Sequence, residues 1–420
     1  MPLMQNASTS SPPSAIPASH QPVTHWPAVL AAVMCGVAVA MNVGKVPVAL
    51  SELRQEFQLS LVAAGWVSSM ISALAVTCAL LFGLLGDRMG PLRMCFLGLA
   101  CSFGGGALAL FAPGQAALLV SRFLEGAGLV AVAVSAPALL SAASHARDRR
   151  FALGIWSSYL PAGVALVMLA APLLERAGGW RGLWLCAMLA ILASGVWMWW
   201  QRAAYRQRPA SPAAAIPAAS IAAARDALAR SMPWLLGFAM TSWTVQHYAL
   251  IIWLPTFLQE QRGMDVQSAA LLSAVMVLVN VPANLIGGLL LQRHVRRGTL
   301  IAAASVVTGL CGIGVFLDGL ADLVRYGLCL LLSFSGGFVA TSVLSASASL
   351  ARTPNQIGTL QGLFMQLSNL GPFLGPPLIA MLVSASGLWR DALLVTGGAA
   401  IAGLVLGLLI RRQEGLSAQA

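Results

Sequence analysis

A glutamate in the middle of an apolar run is the residue of this sequence with the clearest chemical potential. Of the thirteen acidic residues, Glu125 alone lies well inside such a run; the other twelve lie at run ends, in loops or in the tail. A buried, ionised carboxylate without a partner costs several kcal/mol, so Glu125 must pair with a cation or hold a proton. Arg122 lies three residues earlier, on the same helical face. Two roles stay open for the pair: a group that loads and releases protons, or a permanent structural ion pair.

Lys45 is the only lysine of the chain, and the other 23 basic residues are arginine. Lysine carries a compact charge, unlike the flat guanidinium of arginine, and Asn42 lies three residues before it on the same helical face. One interpretation places Lys45 in a central cavity as the counter-charge of an anion. The other has it snorkel to the outer surface, because only a few residues follow it in an apolar run that we place at 27–50.

A second group of polar residues lies in the later half of the sequence. His247 could bind a substrate or move protons, or it could be a core histidine with satisfied hydrogen bonds. Its neighbours along the chain are aromatic and polar, and two later apolar runs add side-chain amides. We predict that a substrate contacts these residues together with those of the first run: Asn42, Lys45, Trp243, Gln246, His247, Tyr248, Asn280, Asn284, Gln361 and Asn369.

The composition decides what kind of protein must position these residues. The chain has 420 residues, of which 58% are hydrophobic and 9% charged. Soluble domains are nearer a quarter charged, so this chain is predicted to be an integral membrane protein. Its formal charge of +11 comes from arginines in short loops between apolar runs, which argues against a nucleic-acid partner. The seven cysteines lie in or beside apolar runs without CxxC pairs, so we expect small buried thiols instead of disulfides or metal ligands.

Twelve apolar runs are each long enough to cross ~30 Å of hydrocarbon as a helix. We predict an all-α integral membrane fold of twelve transmembrane helices in two pseudo-symmetric six-helix halves. The runs are 27–50, 60–85, 92–112, 116–143, 151–174, 181–201, 233–258, 266–291, 299–317, 323–349, 357–383 and 389–410. The predicted domains are a disordered cytoplasmic tail (1–25), an N-terminal half (26–201), a cytoplasmic linker (202–232), a C-terminal half (233–410) and a cytoplasmic tail (411–420).

An internal repeat supports the division into two halves. Shifting the sequence by 205 residues places Gly83 over Gly288, and it also places Pro172 over Pro377. The same shift places Asn42 over His247. Two six-helix halves in parallel orientation are the arrangement in which a transporter has its site between the halves at mid-membrane.

Two motifs carry a resemblance to a known family. The segment Gly83-Leu-Leu-Gly-Asp87-Arg88-Met-Gly90-Pro91-Leu-Arg93 resembles the G-x-x-x-D-R-x-G-R-R signature of the major facilitator superfamily, with Pro91 and Leu92 in place of basic residues. The segment Arg122-Phe-Leu-Glu125-Gly126-Ala-Gly128 is similar to the family's R-x-x-Q-G-x-G motif, with Glu for Gln. The resemblance implies a conformational gate, for which the matching residues are Gly83, Asp87, Arg88, Gly90 and Arg93.

The resemblance also implies a function. We expect a proton-coupled transporter that works by alternating access, with Arg122 and Glu125 coupling it to protons. Bacterial siderophore and drug exporters are similar in layout, which favours export of a siderophore, metabolite or drug. The branch with cyanate and 2-nitroimidazole transporters is also similar, and it implies the alternative, uptake of a small organic anion such as cyanate or a carboxylate.

The other expectations follow from what the sequence lacks. No catalytic motif and no nucleotide-binding loop occur in it, so we expect no enzymatic activity, no cofactor and no metal. The expected partners are a small-molecule substrate, protons and the lipid bilayer, and we expect a monomer in the bacterial inner membrane.

Orientation follows from the arginines. With a cytoplasmic N-terminus, sixteen arginines fall in inside loops and six in outside loops. Because basic residues accumulate in cytoplasmic loops, both termini are expected in the cytoplasm. Reporter tags placed in 202–232 and at both termini should therefore report a cytoplasmic location. A periplasmic tag in 202–232 would contradict this orientation and the assignment of inner and outer ends.

Overall fold

The computed structural model describes residues 23–145, 147–206, 218–316 and 320–417, and these ranges are helical apart from short connections. Almost all of the predicted tail 1–25 lies outside them. We number the helices along the chain. The N-terminal half contains α1 (Trp26–Glu56), α2 (Leu61–Ser69), α3 (Ala73–Met89), α4 (Pro91–Leu110), α5 (Gln115–Ala143), α6 (Arg149–Trp156), α7 (Tyr159–Trp200) and α8 (Arg202–Arg206). The C-terminal part contains α9 (Ala218–Ala229), α10 (Ser231–Arg262), α11 (Val266–Leu278), α12 (Asn280–Gln292), α13 (Arg297–Phe316), α14 (Asp322–Leu344), α15 (Ala346–Leu350), α16 (Pro354–Ser386) and α17 (Ala392–Ser417).

These helices provide the twelve membrane crossings that the sequence predicts. Ten stretches of the described residues are long and apolar enough to span a membrane. One of them, α7, has 42 residues and would be about 63 Å long, and it is interrupted at Gly178 and Gly179, so it supplies two crossings. The 32-residue α10 is also long enough to cross. Its polar cluster around His247 lowers its hydropathy, which explains why it is not one of the ten.

The first helix is longer than the sequence pattern indicates. The predicted run ends at residue 50, whereas α1 continues to Glu56. The charged residues of this last part all have partners on other helices. Glu52 Oε2 accepts from the backbone N–H of Trp180 at 2.7 Å, and Glu56 pairs with Arg181 at 2.5 Å. The predicted run is too short because these partners lie more than a hundred residues away, and the composition of the segment itself does not reveal them.

At the predicted outer end of the molecule, polar side chains join the two halves. We call these contacts the outer seal. Arg54 Nη1 lies 2.8 Å from Glu260 Oε1, and Ser51 Oγ donates to Gln259 Oε1 at 3.2 Å. Arg176 donates to Gln267 Oε1 at 3.1 Å. These three contacts hold α1 against α10, and α7 against the residues that begin α11.

Small residues bring the halves together deeper in the interface. At Gly65 on α2, an added Cβ would lie 3.0 Å from Pro377 Cα, so α2 and α16 pack with their backbones close. Nearer the start of α16, Gln366 Nε2 donates to the carbonyl oxygen of Val76 on α3 at 3.3 Å. Helix α16 is therefore the main element of the C-terminal half that packs on α2 and α3.

The predicted linker contains a helix that is attached to the C-terminal half. Gln356 Nε2 donates to Asp226 Oδ2 of α9 at 2.9 Å, and Arg352 donates to Asp226 Oδ1 at 3.3 Å. Arg230 donates to the carbonyl oxygen of Leu350 at 2.6 Å. These bonds fix α9 against the connection between α15 and α16. At the other end of this half, α17 continues to Ser417, beyond the predicted boundary at residue 410.

The outer seal generates a prediction for Arg54→Ala. The Arg54 and Glu260 side chains are 28% and 41% exposed. A pair this exposed contributes about 0.2–1 kcal/mol, so its removal should shift the equilibrium toward an outward-open state about 1.4- to 5-fold. Spin labels at Gln55 and Gln261, in a background with the native cysteines replaced by alanine, would measure the distance between the outer ends of α1 and α10.

The control is Arg181→Ala, which breaks a pair of similar exposure that lies wholly within the N-terminal half. It should leave the distance distribution unchanged. Equal distributions for Arg54→Ala and Arg181→Ala would mean that the outer seal does not hold the halves together.

Candidate functional site

Four polar side chains from α1 and α5 meet inside the N-terminal half, and we call them the ion cluster: Asn42, Lys45, Arg122 and Glu125. Lys45 Nζ lies 2.6 Å from Glu125 Oε1 and donates to Asn42 Oδ1 at 2.7 Å. Arg122 Nη1 pairs with Glu125 Oε2. The carboxylate is therefore held between two cations, one on each oxygen.

The ion cluster is closed off from the surface. Lys45, Arg122 and Glu125 are 0% exposed, and Asn42 is 1% exposed. Arg122 is anchored further by its Nε, which donates to the carbonyl oxygen of Val67 at 3.2 Å. Lys45 lies eleven residues before the end of α1 at Glu56, so the surface-snorkelling alternative does not describe it. The longer helix and the facing Glu125 explain why Lys45 points inward.

Glycines let the neighbouring helices reach the ion cluster. An added Cβ at Gly105 on α4 would lie 2.7 Å from the Ser121 carbonyl oxygen and 2.9 Å from Glu125 Cγ. An added Cβ at Gly126 would collide with the Ile71 carbonyl group, and one at Gly128 would collide with Ser102. Because these positions lack side chains, α4 and the turn before α3 lie directly against α5 at the level of Glu125.

Trp184 completes the surroundings of Lys45, and sequence reasoning missed it. Its ring centroid is 4.2 Å from Lys45 Nζ, a cation–π contact in which the indole is 0% exposed. Trp180, one turn earlier, packs edge-on against the same ring at 5.0 Å. A tryptophan in the middle of an apolar run, one turn after another tryptophan, was the only available sign of this role.

The predicted C-terminal residues form a separate cluster around His247. The imidazole stacks on the Trp243 ring with centroids 4.6 Å apart, and its Nε2 lies 3.1 Å from Ser333 Oγ. Gly336 on α14 allows the Trp243 ring to pack against the backbone there. Ser333 is not among the residues predicted from the sequence, because serines are common in membrane helices and carry no distinguishing pattern.

Two asparagines extend this second cluster along α12. Asn280 Nδ2 donates to the carbonyl oxygen of Ser333 at 2.7 Å. Asn284 Nδ2 donates to Asn280 Oδ1 at 3.0 Å, and Thr341 Oγ1 donates to the Asn284 carbonyl oxygen at 3.0 Å. Apart from the His247 imidazole and the Trp243 ring, this cluster consists of amides and hydroxyls that hydrogen-bond to one another or to the backbone, and it contains no ion pair, so it differs in kind from the ion cluster.

Three predicted substrate contacts, Gln246, Gln361 and Asn369, lie outside both clusters, whereas Tyr248 borders the second one. Gln246 donates to the carbonyl oxygen of Ser242 at 3.1 Å, and it borders a cavity that is otherwise mostly apolar, lined by Leu250 and Trp253 among others. Tyr248 packs edge-on against His247, and Asn369 donates to the Met365 carbonyl oxygen of its own helix. Gln361 Oε1 is buried without a partner. The predicted ten-residue site is thus divided into two clusters and three outlying residues.

The signature segment forms a helix–glycine–helix connection. Helix α3 ends at Met89, Gly90 adopts φ 85°, and α4 begins at Pro91. This left-handed φ favours glycine, and proline is well suited to the first position of a helix, which accounts for Pro91 at a position that is basic in the signature. Arg93 is exposed on α4. Gly83, Asp87 and Arg88 belong to α3, but the surroundings of Gly83 and the side chains of Asp87 and Arg88 lie outside what the structure describes.

The arrangement is suited to two chemical tasks. Glu125 can take up or release a proton, and Lys45 and Arg122 can attract an anion when Glu125 does not neutralise them. Among the described residues, no group of three or more His, Cys, Asp or Glu residues is positioned to hold a metal ion.

Comparison with known proteins places this fold and site in a family. Residues 30–373 match the model of the Major Facilitator Superfamily, and the chain belongs to this family. A probable sulfoacetate transporter of Cupriavidus necator is 25% identical over 391 residues, covering 87% of this chain and 89% of that protein. A hexuronate transporter of Bacillus subtilis is 22% identical, covering 89% and 92%. The chain is accordingly a multi-pass membrane protein of a family that transports small organic molecules.

A solved structure supports the fold independently of sequence. The crystal structure of a bacterial homologue of the human lysosomal transporter Spinster, in an inward-facing and occupied conformation, superposes with a TM-score of 0.73. It is 15% identical and covers 91% of this chain and 96% of that protein. The predicted major facilitator fold of twelve helices is confirmed.

The glycines beside Glu125 generate a prediction with an adjacent control. Gly105→Ala places a methyl group against Ser121 and Glu125, and overpacking of this kind costs about 1–3 kcal/mol. Gly104→Ala adds the same methyl group where nothing lies within 4 Å. Gly105→Ala should therefore lower the melting temperature of the purified protein, and Gly104→Ala should not. Equal melting temperatures would contradict the close approach of α4 and α5.

Proposed function

We propose that this protein is a proton-coupled secondary transporter that takes up a small organic anion across the bacterial inner membrane. Glu125 carries the proton, Lys45 provides the counter-charge for the anion, and alternating access exposes them to each side. The proposal includes a monomer with no enzymatic step. The contact that supports it most strongly is the fully buried ion pair between Lys45 Nζ and Glu125 Oε1.

The Lys45 ammonium would attract an anionic substrate, whereas it would not attract a neutral or cationic one. Attraction between opposite charges is several-fold stronger in a low-dielectric interior than in water. Keeping both Lys45 and Arg122 in the membrane interior requires a negative group beside them at every stage. Glu125 meets this requirement when it is ionised, and a substrate anion would meet it when Glu125 is protonated.

The two relatives described above favour the same class of substrate. Sulfoacetate and hexuronate, the substrates in the names of these two transporters, are both organic acids that are ionised near pH 7. Export of a siderophore or drug, which the resemblance in layout favours, has no corresponding support in the contacts of the ion cluster. We therefore favour uptake of a carboxylate, the alternative function in the sequence analysis.

Coupling follows from competition for the two cations. A proton that binds Glu125 on the outside weakens its attraction to Lys45 and Arg122, and the incoming anion takes its place. On the cytoplasmic side the proton leaves, the ionised Glu125 pairs with Lys45 again, and the anion is displaced. Because both events use the same cations, the two ligands move in the same direction. The outer seal corresponds to a stage at which the outer end is closed.

Glu125→Gln tests the proposal. The amide keeps the shape of the side chain but cannot carry the proton, so accumulation of substrate driven by a pH gradient should be lost. Exchange of labelled for unlabelled substrate needs no net proton movement and should persist. Glucuronate and sulfoacetate, each measured in proteoliposomes with an acidic exterior, are the test substrates.

Glu414→Gln is the matched control, because Glu414 lies at the cytoplasmic end of α17 and accepts from the backbone of Gly298. It should accumulate substrate like the unmodified protein. The proposal fails if the unmodified protein accumulates neither anion, and Glu125 is not the proton carrier if Glu125→Gln accumulates them normally.

A further inference from the structure

Three hydrogen-bond donors of the ion cluster and its tryptophan have no acceptor. Asn42 Nδ2, Arg122 Nη2 and Trp184 Nε1 are all buried without a partner, and they come from three helices, α1, α5 and α7. A buried donor left unsatisfied costs about 1–3 kcal/mol. Three such donors around one ammonium–carboxylate pair indicate that something else accepts their hydrogen bonds.

Two other buried or partly buried indoles of the chain find acceptors. Trp180 Nε1 donates to Glu56 Oε2 at 2.7 Å, and Trp253 Nε1 donates to the Pro376 carbonyl oxygen at 3.2 Å. Trp184 Nε1 differs from both, although Trp184 is 0% exposed. Its free N–H is therefore not a general property of tryptophans in this membrane domain.

The acceptors of the ion cluster are already occupied. Asn42 Oδ1 and Glu125 Oε1 both accept from Lys45, and Glu125 Oε2 accepts from Arg122. What remains free is only donors. A ligand that fits must accept several hydrogen bonds and donate none at this point, which describes an ionised carboxylate or sulfonate and excludes an amine.

We propose that Asn42, Arg122 and Trp184 form, with Lys45, a subsite for one carboxylate or sulfonate group, which is occupied when Glu125 is protonated. This inference rests on the proposed function and deepens it. It assigns the donors that hold the substrate and fixes the charge that the substrate presents to the ion cluster as minus one.

Charge balance gives the reason for the value of minus one. With Glu125 ionised and no ligand, Lys45, Arg122 and Glu125 sum to plus one. With Glu125 protonated and one monovalent anionic group bound, the sum is again plus one. The proton without the anion gives plus two, and the anion without the proton gives zero. The two states of equal charge need the least change in solvation, so they are the ones that pass between the two sides of the membrane.

No other described titratable group facing Glu125 alters this balance. Helix α1 presents Lys45, and α5 itself presents Arg122. Helix α4 presents Gly105, Gly106 and Ser102, and α7 presents Met188 next to Gly106. Helix α2 presents Val67 and the turn before α3 presents Ile71, so none of these neighbouring elements adds a described charge here. The proton and the anion therefore bind together and cross together, one for one.

The single lysine gives a direct measurement. Protein labelled with ¹⁵N at lysine Nζ contributes one side-chain resonance, that of Lys45, because the chain has no other lysine. Glucuronate, sulfoacetate or acetate should shift this resonance at acidic pH, and glucuronamide, the neutral counterpart of glucuronate, should not. An unchanged resonance with all three anions, or equal shifts with glucuronate and glucuronamide, would overturn the subsite.

Trp184→Phe tests the donor set. It keeps an aromatic ring over Lys45 and removes the N–H, so the dissociation constant for glucuronate should rise about 10- to 150-fold, the range for a hydrogen bond to a charged group. Trp180→Phe is the matched control on the same helix, and it should leave the constant unchanged. Equal constants for the two variants, both with the unliganded Lys45 resonance in place, would overturn the assignment of Trp184.

Transport at a clamped membrane potential tests the charge. With one proton, glucuronate should cross without net charge, so its uptake should not respond to the potential, while sulfoacetate with two negative charges should be slowed by a negative interior. Glucuronate uptake that an inside-positive potential accelerates would overturn the charge balance. Absence of any uptake driven by pH would instead defeat the proposed function, and the lysine resonance would still decide whether the subsite exists.

Discussion

The carboxylate of Glu125, held between an ammonium and a guanidinium without access to solvent, is the interaction on which the rest of this structure depends. Two cations in a membrane interior are tolerated only while a negative group neutralises one of them. The glycines of α4 and α5 allow backbones to enclose the carboxylate, and Trp184 covers the ammonium. When Glu125 is protonated, it no longer neutralises these cations, so another negative group must take its place beside them. In the proposed mechanism this group is the substrate anion, which couples its binding to that of the proton.

The two halves share a fold but not a chemistry. The fully buried ion pairs described above lie in the N-terminal half, in the ion cluster, whereas His247 and Asn280 in the C-terminal half belong to a hydrogen-bonded cluster without an ion pair. The ion cluster is enclosed within the N-terminal half, and the second cluster joins α10, α12 and α14 of the C-terminal half. The outer seal, which includes the ion pair between Arg54 and Glu260, joins the two halves and involves neither cluster.

Much of the fold could be predicted from the sequence, and part of the site could. The apolar runs gave the crossings because each must satisfy its backbone within a helix, and the spacing of Arg122 and Glu125 implied their contact because three residues bring side chains to one helical face. The inward position of Lys45 could not be decided, since it depends on where α1 ends, and that depends on partners such as Arg181 far along the chain. Trp184, Ser333 and Thr341 were missed because ordinary hydrophobic or small residues gain their roles only from neighbours on other helices. For the same reason, nothing local could show that His247 and Lys45 belong to different clusters.

The cavity beside Gln246 has a mechanical consequence. Under the internal repeat of 205 residues, Lys45 corresponds to Leu250, and Leu250 lines that cavity. The N-terminal half is thus held together by ion pairs at the level where the C-terminal half has an apolar cavity. Side chains next to a cavity lack the contacts that resist displacement. We therefore expect α10 and the helices around this cavity to deform more readily than α1 and the helices around the ion cluster.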